Sequence, residues 1–415
     1  MICCGTNSPL LLPPHEKMTN SAHLELSLEQ ADLVYYSGDR IRGALVVHVA
    51  APVTIAGVEL RFRGAARARW RELGNEGTRK TEVEHEKEEI YFDDRFCLWG
   101  KVADDGRWES REVLNRGRHL FPFQYKLPEG IPCSFEGPDA SIRYQVHGAL
   151  VRVAGSNIST NKTVTVLRDL DCKRDSEKKS PTSRHVLEDH AERTFSTTCC
   201  RPSRVSCSLC VLKRSYVPGE TVHADVQIHN MTMRKSGPCR LQLKQLVTYG
   251  ESFCRPILLE ELEFHASVRA GQRRQWKGLT LNVPATCPSR LSKCRVIDVR
   301  YCVAIECHFS DSVLYAAVPI TIATLPERGI MPVRWSYQEC STLISDDDIG
   351  GETNRSMNDD NFRPKYKFYD ELRDIRKDKY FVLKLRQSPG VKRRQMVTEG
   401  GESRTDSDAV NESKA

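Results

Sequence analysis

The segment SYVPGETVHADVQIHN at residues 215 to 230 repeats the pattern of VYYSGDRIRGALVVHV at residues 34 to 49. Such a repeat restricts the fold more than composition does, because both copies must suit the same local structure. Each opens on a small residue or proline, then glycine, then an acid: Ser37-Gly38-Asp39 and Pro218-Gly219-Glu220. Glycine tolerates the positive φ of a tight turn, and Pro218 pre-sets the entry. Apolar and polar residues then alternate, with Ile41, Leu45, Val47 and Val49 in one copy and Val222, Ala224, Val226 and Ile228 in the other. That alternation predicts a half-buried strand. The copies lie Gly219 minus Gly38, or 181 positions, apart. This is too long for a solenoid unit and fits a duplicated domain.

Further pairs follow in the same order. Leu127-Pro128 with Pro132 pairs with Val283-Pro284 and Pro288, and Ile142-Arg143-Tyr144 with Val299-Arg300-Tyr301. Val164-Thr165-Val166 pairs with Ile320-Thr321-Ile322, an offset of Ile320 minus Val164, or 156. The smaller offset places extra residues in the first copy, and the charged stretch between Arg71 and Glu88 is the expected insertion.

A chain of 415 residues exceeds what one core normally serves. The expected division is a flexible N-terminus over 1–19, a β-sandwich over 20–168, a charged linker over 169–200, a second sandwich over 201–328 and a mostly disordered tail over 329–415. Alternation from Val58 to Trp70 puts Val58, Leu60, Phe62, Ala66, Ala68 and Trp70 on one face. Arg61, Arg63, Arg67 and Arg69 share the other, a candidate basic face for phosphates or cargo. Phe123, Tyr144 and Tyr301 are the expected core aromatics.

The net charge of +7 is too mild to point to nucleic acid, and no run of about eighteen apolar residues spans a membrane. The N-terminal MICCGTNSPLLLPP lacks the basic start and long apolar core of a signal peptide, and Cys3 and Cys4 are weak candidates for lipidation. Sixteen cysteines in so long a chain fit reduced thiols rather than a disulfide scaffold. Strand alternation sends Cys207 and Cys210 to opposite faces, against a metal site shared with Cys199 and Cys200. His119, His147 and His223 lack the neighbours that catalysis requires, so neither an enzyme nor a cofactor is expected.

YYSGDRIRG, GVELRFRGAARARW, GRHLFPFQYKLPEGIPCSFEGPDASIRYQVHGAL, SYVPGE and PSRLSKCRVIDVRYCV together resemble the arrestin domain-containing proteins, or α-arrestins, over about residues 22 to 328. The resemblance implies two tandem immunoglobulin-like arrestin β-sandwiches. It implies a cytoplasmic adaptor that grips membrane receptors or transporters and recruits HECT-type ubiquitin ligases at the plasma membrane and endosomes, leading to ubiquitination, endocytosis and sorting. Ligase recruitment in the family uses Pro-Pro-x-Tyr, which docks an extended proline helix on aromatic WW grooves. Here the tail match is the degenerate Arg363-Pro364-Lys365-Tyr366, so Pro364 and Tyr366 are the candidate WW ligand.

Glu339 with Leu343 and Ile344 forms a dileucine-like motif of the kind read by clathrin adaptors. Phe381, Leu383 and Leu385 alternate as an edge strand would, whereas Leu372, Ile375 and Lys379 nearly keep helical spacing over 369–384. Two other functions stay open. A secreted or cell-surface β-sandwich protein is favoured by the sequons at Asn157 and Asn230, and a thioredoxin-binding regulator would use a thiol such as Cys97 or Cys254.

Overall fold

The structure, a computed structural model, describes residues 22–76, 79–170, 187–195, 203–250, 253–264, 267–309, 312–327, 329–341 and 362–374. The first half contributes β1 (Ala22–Leu28), β2 (Val34–Tyr36), β3 (Arg40–Val49), β4 (Val53–Glu76), β5 (Arg79–Gly100), β6 (Glu112–Leu114), β7 (Gly117–Lys126), β8 (Phe135–Glu136), β9 (Ala140–Arg152) and β10 (Ile158–Leu167). They form one sheet in the order β1-β3-β7 and another in the order β2-β10-β9-β4-β5, with β6 beside β4 and β8 beside β9.

The second half contributes β11 (Leu187–Phe195), β12 (Ser203–Val211), β13 (Ser215–Tyr216), β14 (Thr221–Asn230), β15 (Cys239–Tyr249), β16 (Phe253–Phe264), β17 (Arg273–Asn282), β18 (Ile297–Phe309) and β19 (Ser312–Ile322). Its sheets run β11-β12-β14-β17 and β13-β19-β18-β15-β16. Apart from the short β6 and β8 and the added β11, the two halves match strand for strand. Even the short parallel pair recurs, β2 on β10 and β13 on β19.

The repeated turn has a mechanical explanation. Gly38 and Gly219 sit at φ of 92° and 95°, which only glycine adopts cheaply. The acid that follows caps the turn: Asp39 Oδ2 accepts from Tyr36 N at 2.7 Å, and Glu220 Oε2 from Val217 N at 2.9 Å. A second device also occurs twice. Ser134 N donates to Val166 O while Ser134 Oγ accepts from Val166 N, and Ser289 makes the same pair of bonds with Ile322. Beside each serine a buried tyrosine closes the loop, with Tyr144 OH on Pro132 O and Tyr301 OH on Cys287 O. These bonds align Pro132 with Cys287, one residue earlier than the Pro132–Pro288 match in the sequence. Hydrogen bonding, rather than proline identity, sets the register here.

The extra residues of the first half lengthen one hairpin. Its arms β4 and β5 have 24 and 22 residues, against 11 and 12 in β15 and β16. Pairing of β4 with β9 stops at Ala68–Ala140, whereas pairing with β5 continues to Glu76–Arg79, so the hairpin projects past the sheet.

The core follows the predicted alternation. Val58, Leu60, Phe62, Ala66, Ala68 and Trp70 are each at most 6% exposed, and Tyr144 and Tyr301 are buried. Phe123 is only half-buried, because β7 is an edge strand; its ring meets Phe62 edge-on at 5.7 Å. Cys207 is buried and Cys210 is not, as opposite faces require.

Two expected boundaries are corrected. Within the linker, residues 187–195 form β11, which extends the second sandwich through antiparallel pairing with β12. Within the tail, Ile330–Glu339 forms β20 and Lys365–Asp374 forms β21, and these two pair with each other. The competing helical reading from Tyr369 fails over its first six residues, which are strand. Phe381, Leu383 and Leu385 lie outside the described residues.

Candidate functional site

Three features concentrate polar chemistry in this fold: the face of the long hairpin, the seam between the sandwiches, and the tail strand lying along that seam. On the hairpin, the pleat of β4 brings Arg61, Arg63, Arg67 and Arg69 to one side, as alternation requires. The acids of β5 meet them there. Arg61 Nε lies 2.6 Å from Asp93 Oδ1, Arg63 Nη2 lies 2.7 Å from Glu88 Oε1, Arg67 shares Glu88, and Arg69 pairs with Glu84. The hydrogen bond from Arg61 holds the Asp93 carboxyl below the usual carboxylate range, and that from Arg69 does the same for Glu84. Burial pushes Glu88 up, but its bonds from Arg67 and Arg63 bring it below its ordinary value. The expected basic face is therefore a charge-compensated ladder of alternating arginines and acids. Asp93, Glu88 and Glu84 were the residues to look for. Their alternation in TEVEHEKEEIYFDD becomes informative once the hairpin pairing is known.

At the seam, the long hairpin and the loop before β9 meet the second sandwich. Trp70 stacks near Tyr249 and Phe253, with ring centroids 6.0 and 6.5 Å away. Arg255 Nη1 bonds Asp139 Oδ2 at 2.6 Å, and Arg295 meets Glu89 through both its Nε, at 3.0 Å, and its backbone N–H, at 2.8 Å. On another stretch of the seam, Leu170 N donates to Thr324 Oγ1 at 2.6 Å.

The tail strand touches both sandwiches. In the first, Lys365 N donates to Thr165 Oγ1 at 3.1 Å and Tyr366 OH to Ser134 O at 2.9 Å. In the second, Tyr369 N donates to Pro218 O at 3.1 Å and Tyr369 OH to Thr324 O at 2.6 Å. Tyr366 and Tyr369 are each 2% exposed, and burial holds the Tyr366 phenol well above its ordinary pKa. A small pocket beside them is lined by Tyr36, Arg168, Pro218, Thr324, Tyr366 and Lys367.

The candidate WW ligand is thus folded inward. Pro364 is buried with its carbonyl accepting from Cys340 N at 2.9 Å, and the Tyr366 ring that an aromatic groove would need lies inside the protein. Of the dileucine-like motif, Glu339 is exposed at the end of β20, while Leu343 and Ile344 lie outside the described residues. Cys97 and Cys254 are both exposed. Partial burial pushes the Cys97 thiol up and outweighs the lowering by its backbone hydrogen bond at Trp99, which disfavours the reactive thiolate. His147 is held below its ordinary pKa by burial. Among the described residues no helix is long and apolar enough to cross a membrane.

Two open-edged sandwiches of one topology, joined by a polar and aromatic seam, define a tandem β-sandwich protein of the arrestin type. The family described as arrestin (or S-antigen), N-terminal domain, matches residues 24–173, and arrestin (or S-antigen), C-terminal domain, matches residues 201–327. Arrestin domain-containing protein 17 of Caenorhabditis elegans is 26% identical over 323 residues, covering 75% of this chain and 72% of the relative. Arrestin domain-containing protein 4 of Mus musculus is 26% identical over 310 residues, covering 71% and 70%. Arrestin domain-containing protein 1 of Homo sapiens is 26% identical over 286 residues, covering 67% and 59%. The chain belongs to the arrestin domain-containing family, and its role is that of an arrestin-like adaptor.

Proposed function

We propose that this adaptor binds cytoplasmic segments of membrane receptors or transporters and couples them to HECT-type ubiquitin ligases, endocytosis and endosomal sorting. The observation that carries the reading is the match of both sandwiches to the two arrestin domains, with the seam between them closed by side chains from each. Two sandwiches in one body offer a broad surface for cargo, and the residues beyond them can carry a second contact to the sorting machinery. The arginine ladder suits polar cargo through exchange of its ion pairs, since exposed pairs are individually weak, about 0–1 kcal/mol. Leu343 and Ile344 with Glu339 are the proposed contact to clathrin adaptors. Pro364 and Tyr366 would reach a WW groove only after the strand that holds them leaves the seam.

Proximity labelling of the full chain in intact cells tests this function. Enrichment of plasma-membrane and endosomal cargo with ubiquitin ligases and coat proteins is the expected result, with coat proteins lost in Leu343→Ala/Ile344→Ala. Labelling confined to secretory-pathway lumen proteins would refute it. The secreted reading loses one of its two sequons, because Asn230 is fully buried with Nδ2 donating to Arg234 O at 2.7 Å and Val268 O at 2.9 Å. A glycan cannot be attached to that nitrogen in the folded protein. Asn157 is exposed, and a mass shift on deglycosylation would revive the secreted reading.

A further inference from the structure

The tail strand is fastened to both sandwiches. Its two buried tyrosines, three residues apart, fasten it to different sandwiches, and in both the phenol proton is donated to a backbone carbonyl, Ser134 O and Thr324 O. Backbone bonds repeat the division, Lys365 N to Thr165 Oγ1 in the first sandwich and Tyr369 N to Pro218 O in the second. Gly219 is shaped around the strand: a Cβ there would lie 2.1 Å from Tyr369 O. Because, among the described residues, β21 pairs with β20 and with no strand of either sandwich, it can open without unzipping a sandwich sheet.

We propose that Tyr366 and Tyr369 are phosphate-acceptor sites, and that a phosphate on either phenol ejects the Lys365–Asp374 strand from the seam. The reaction is ordinary phosphoryl transfer by a tyrosine kinase with ATP. The phenol oxygen forms a bond to the γ-phosphorus, the bond from that phosphorus to the oxygen bridging to the β-phosphate breaks, ADP leaves, and the phenol proton passes to the kinase base and then to solvent. The modified side chain no longer fits for two reasons. Its oxygen has lost the proton it donated, so a carbonyl lone pair faces phosphate oxygens. The phosphate also brings its bulk and about −1.5 to −2 charges to a phenol that is 2% exposed, and the adjoining space is a small pocket beside Arg168 and Lys367. Tyr369, whose ring packs on Val217 and Ala323, is followed by the exposed acids Asp370 and Glu371. Ejection would uncouple the sandwiches at this part of the seam and, in the same step, free Pro364 and Tyr366.

The test uses the full chain with phosphotyrosine installed at position 369, and separately at 366, during synthesis. Hydrogen exchange at the Lys365 and Tyr369 amides is expected to rise at least about tenfold, with new tryptic cleavage after Lys365 and Lys367. Protection in β4, β9, β15 and β18 should stay unchanged, and phosphatase should restore the strand. Retained protection at both amides would overturn the proposal, as would loss of protection spreading through both sandwiches or failing to reverse. In a second arm, the unmodified chain is incubated with ATP and a broad-specificity tyrosine kinase and mapped by mass spectrometry. Phosphate on Tyr366 or Tyr369, increased by Gly219→Ala, supports the assignment; phosphate on other tyrosines alone refutes it.

Discussion

Tyr144 and Tyr301 occupy the same strand position in the two sandwiches and are both 1% exposed, yet removing their hydroxyls should have unequal costs. Tyr144 OH donates to Pro132 O at 2.7 Å. Tyr301 OH donates to Cys287 O at 2.6 Å, accepts from Gln245 Nε2 at 2.8 Å and lies 3.0 Å from Thr286 Oγ1. In Tyr144→Phe one hydrogen bond is lost and one carbonyl is left unpaired, a cost of about 1–2 kcal/mol. Tyr301→Phe incurs the same loss and also strands the Gln245 amide, whose remaining contacts are Thr286 Oγ1 at 3.3 Å and Cys287 Sγ at 3.5 Å. A buried donor left poorly satisfied adds about 1–2 kcal/mol, for a total of about 2–4 kcal/mol. In a sandwich of this size each kcal/mol moves the melting midpoint by roughly 3–5 °C. Differential scanning calorimetry, with hydrogen exchange to assign each transition to its sandwich, should therefore show the second sandwich of Tyr301→Phe falling further than the first sandwich of Tyr144→Phe. Equal shifts would mean that the Gln245 network contributes nothing beyond a single hydrogen bond, and would refute the reasoning.

Trp70→Ala removes the aromatic contact across the seam with Tyr249 and Phe253; a loss of about 3–5 kcal/mol is expected, with faster exchange at Gly250 and Phe253. A change confined to β4 would show that the stack does not couple the sandwiches. Gly219→Ala, at φ of 95° and against Tyr369 O, should cost about 1–3 kcal/mol and deprotect β21 before any other strand; uniform destabilisation would contradict the fit of the strand to that glycine. Asp93 is held below its ordinary pKa by Arg61, so its stabilising contribution is fully present above the ordinary carboxylate range and is lost as the pH falls through its depressed value. Arg61→Met should flatten the decline of melting temperature below about pH 4, and an unchanged acid slope would remove Asp93 from that account.

Much of the fold was legible because its signals are local. Gly-acid turns, period-two alternation and an in-order repeat each need only a few neighbouring residues, and they led to two sandwiches of one topology with the inserted residues in the first. The buried face from Val58 to Trp70 could be read for the same reason, since the pleat alone decides which residues share a side. Partners could not be read in this way. Arg61 and Asp93 are 32 residues apart, and a stripe of arginines looks cationic until the opposing strand brings its acids alongside. Tyr366 lies 232 residues from the carbonyl that receives its proton. In the sequence its Pro-x-Tyr context marks an exposed ligand, but in the structure the seam between the sandwiches provides a buried place for it. The chain by itself determines which segments become strands and which of their faces are apolar. Which charges are neutralised, which tyrosines are hidden and which strand bridges the two halves are decided only when distant segments compete for the same space, because burial and hydrogen bonding depend on neighbours that local sequence does not contain.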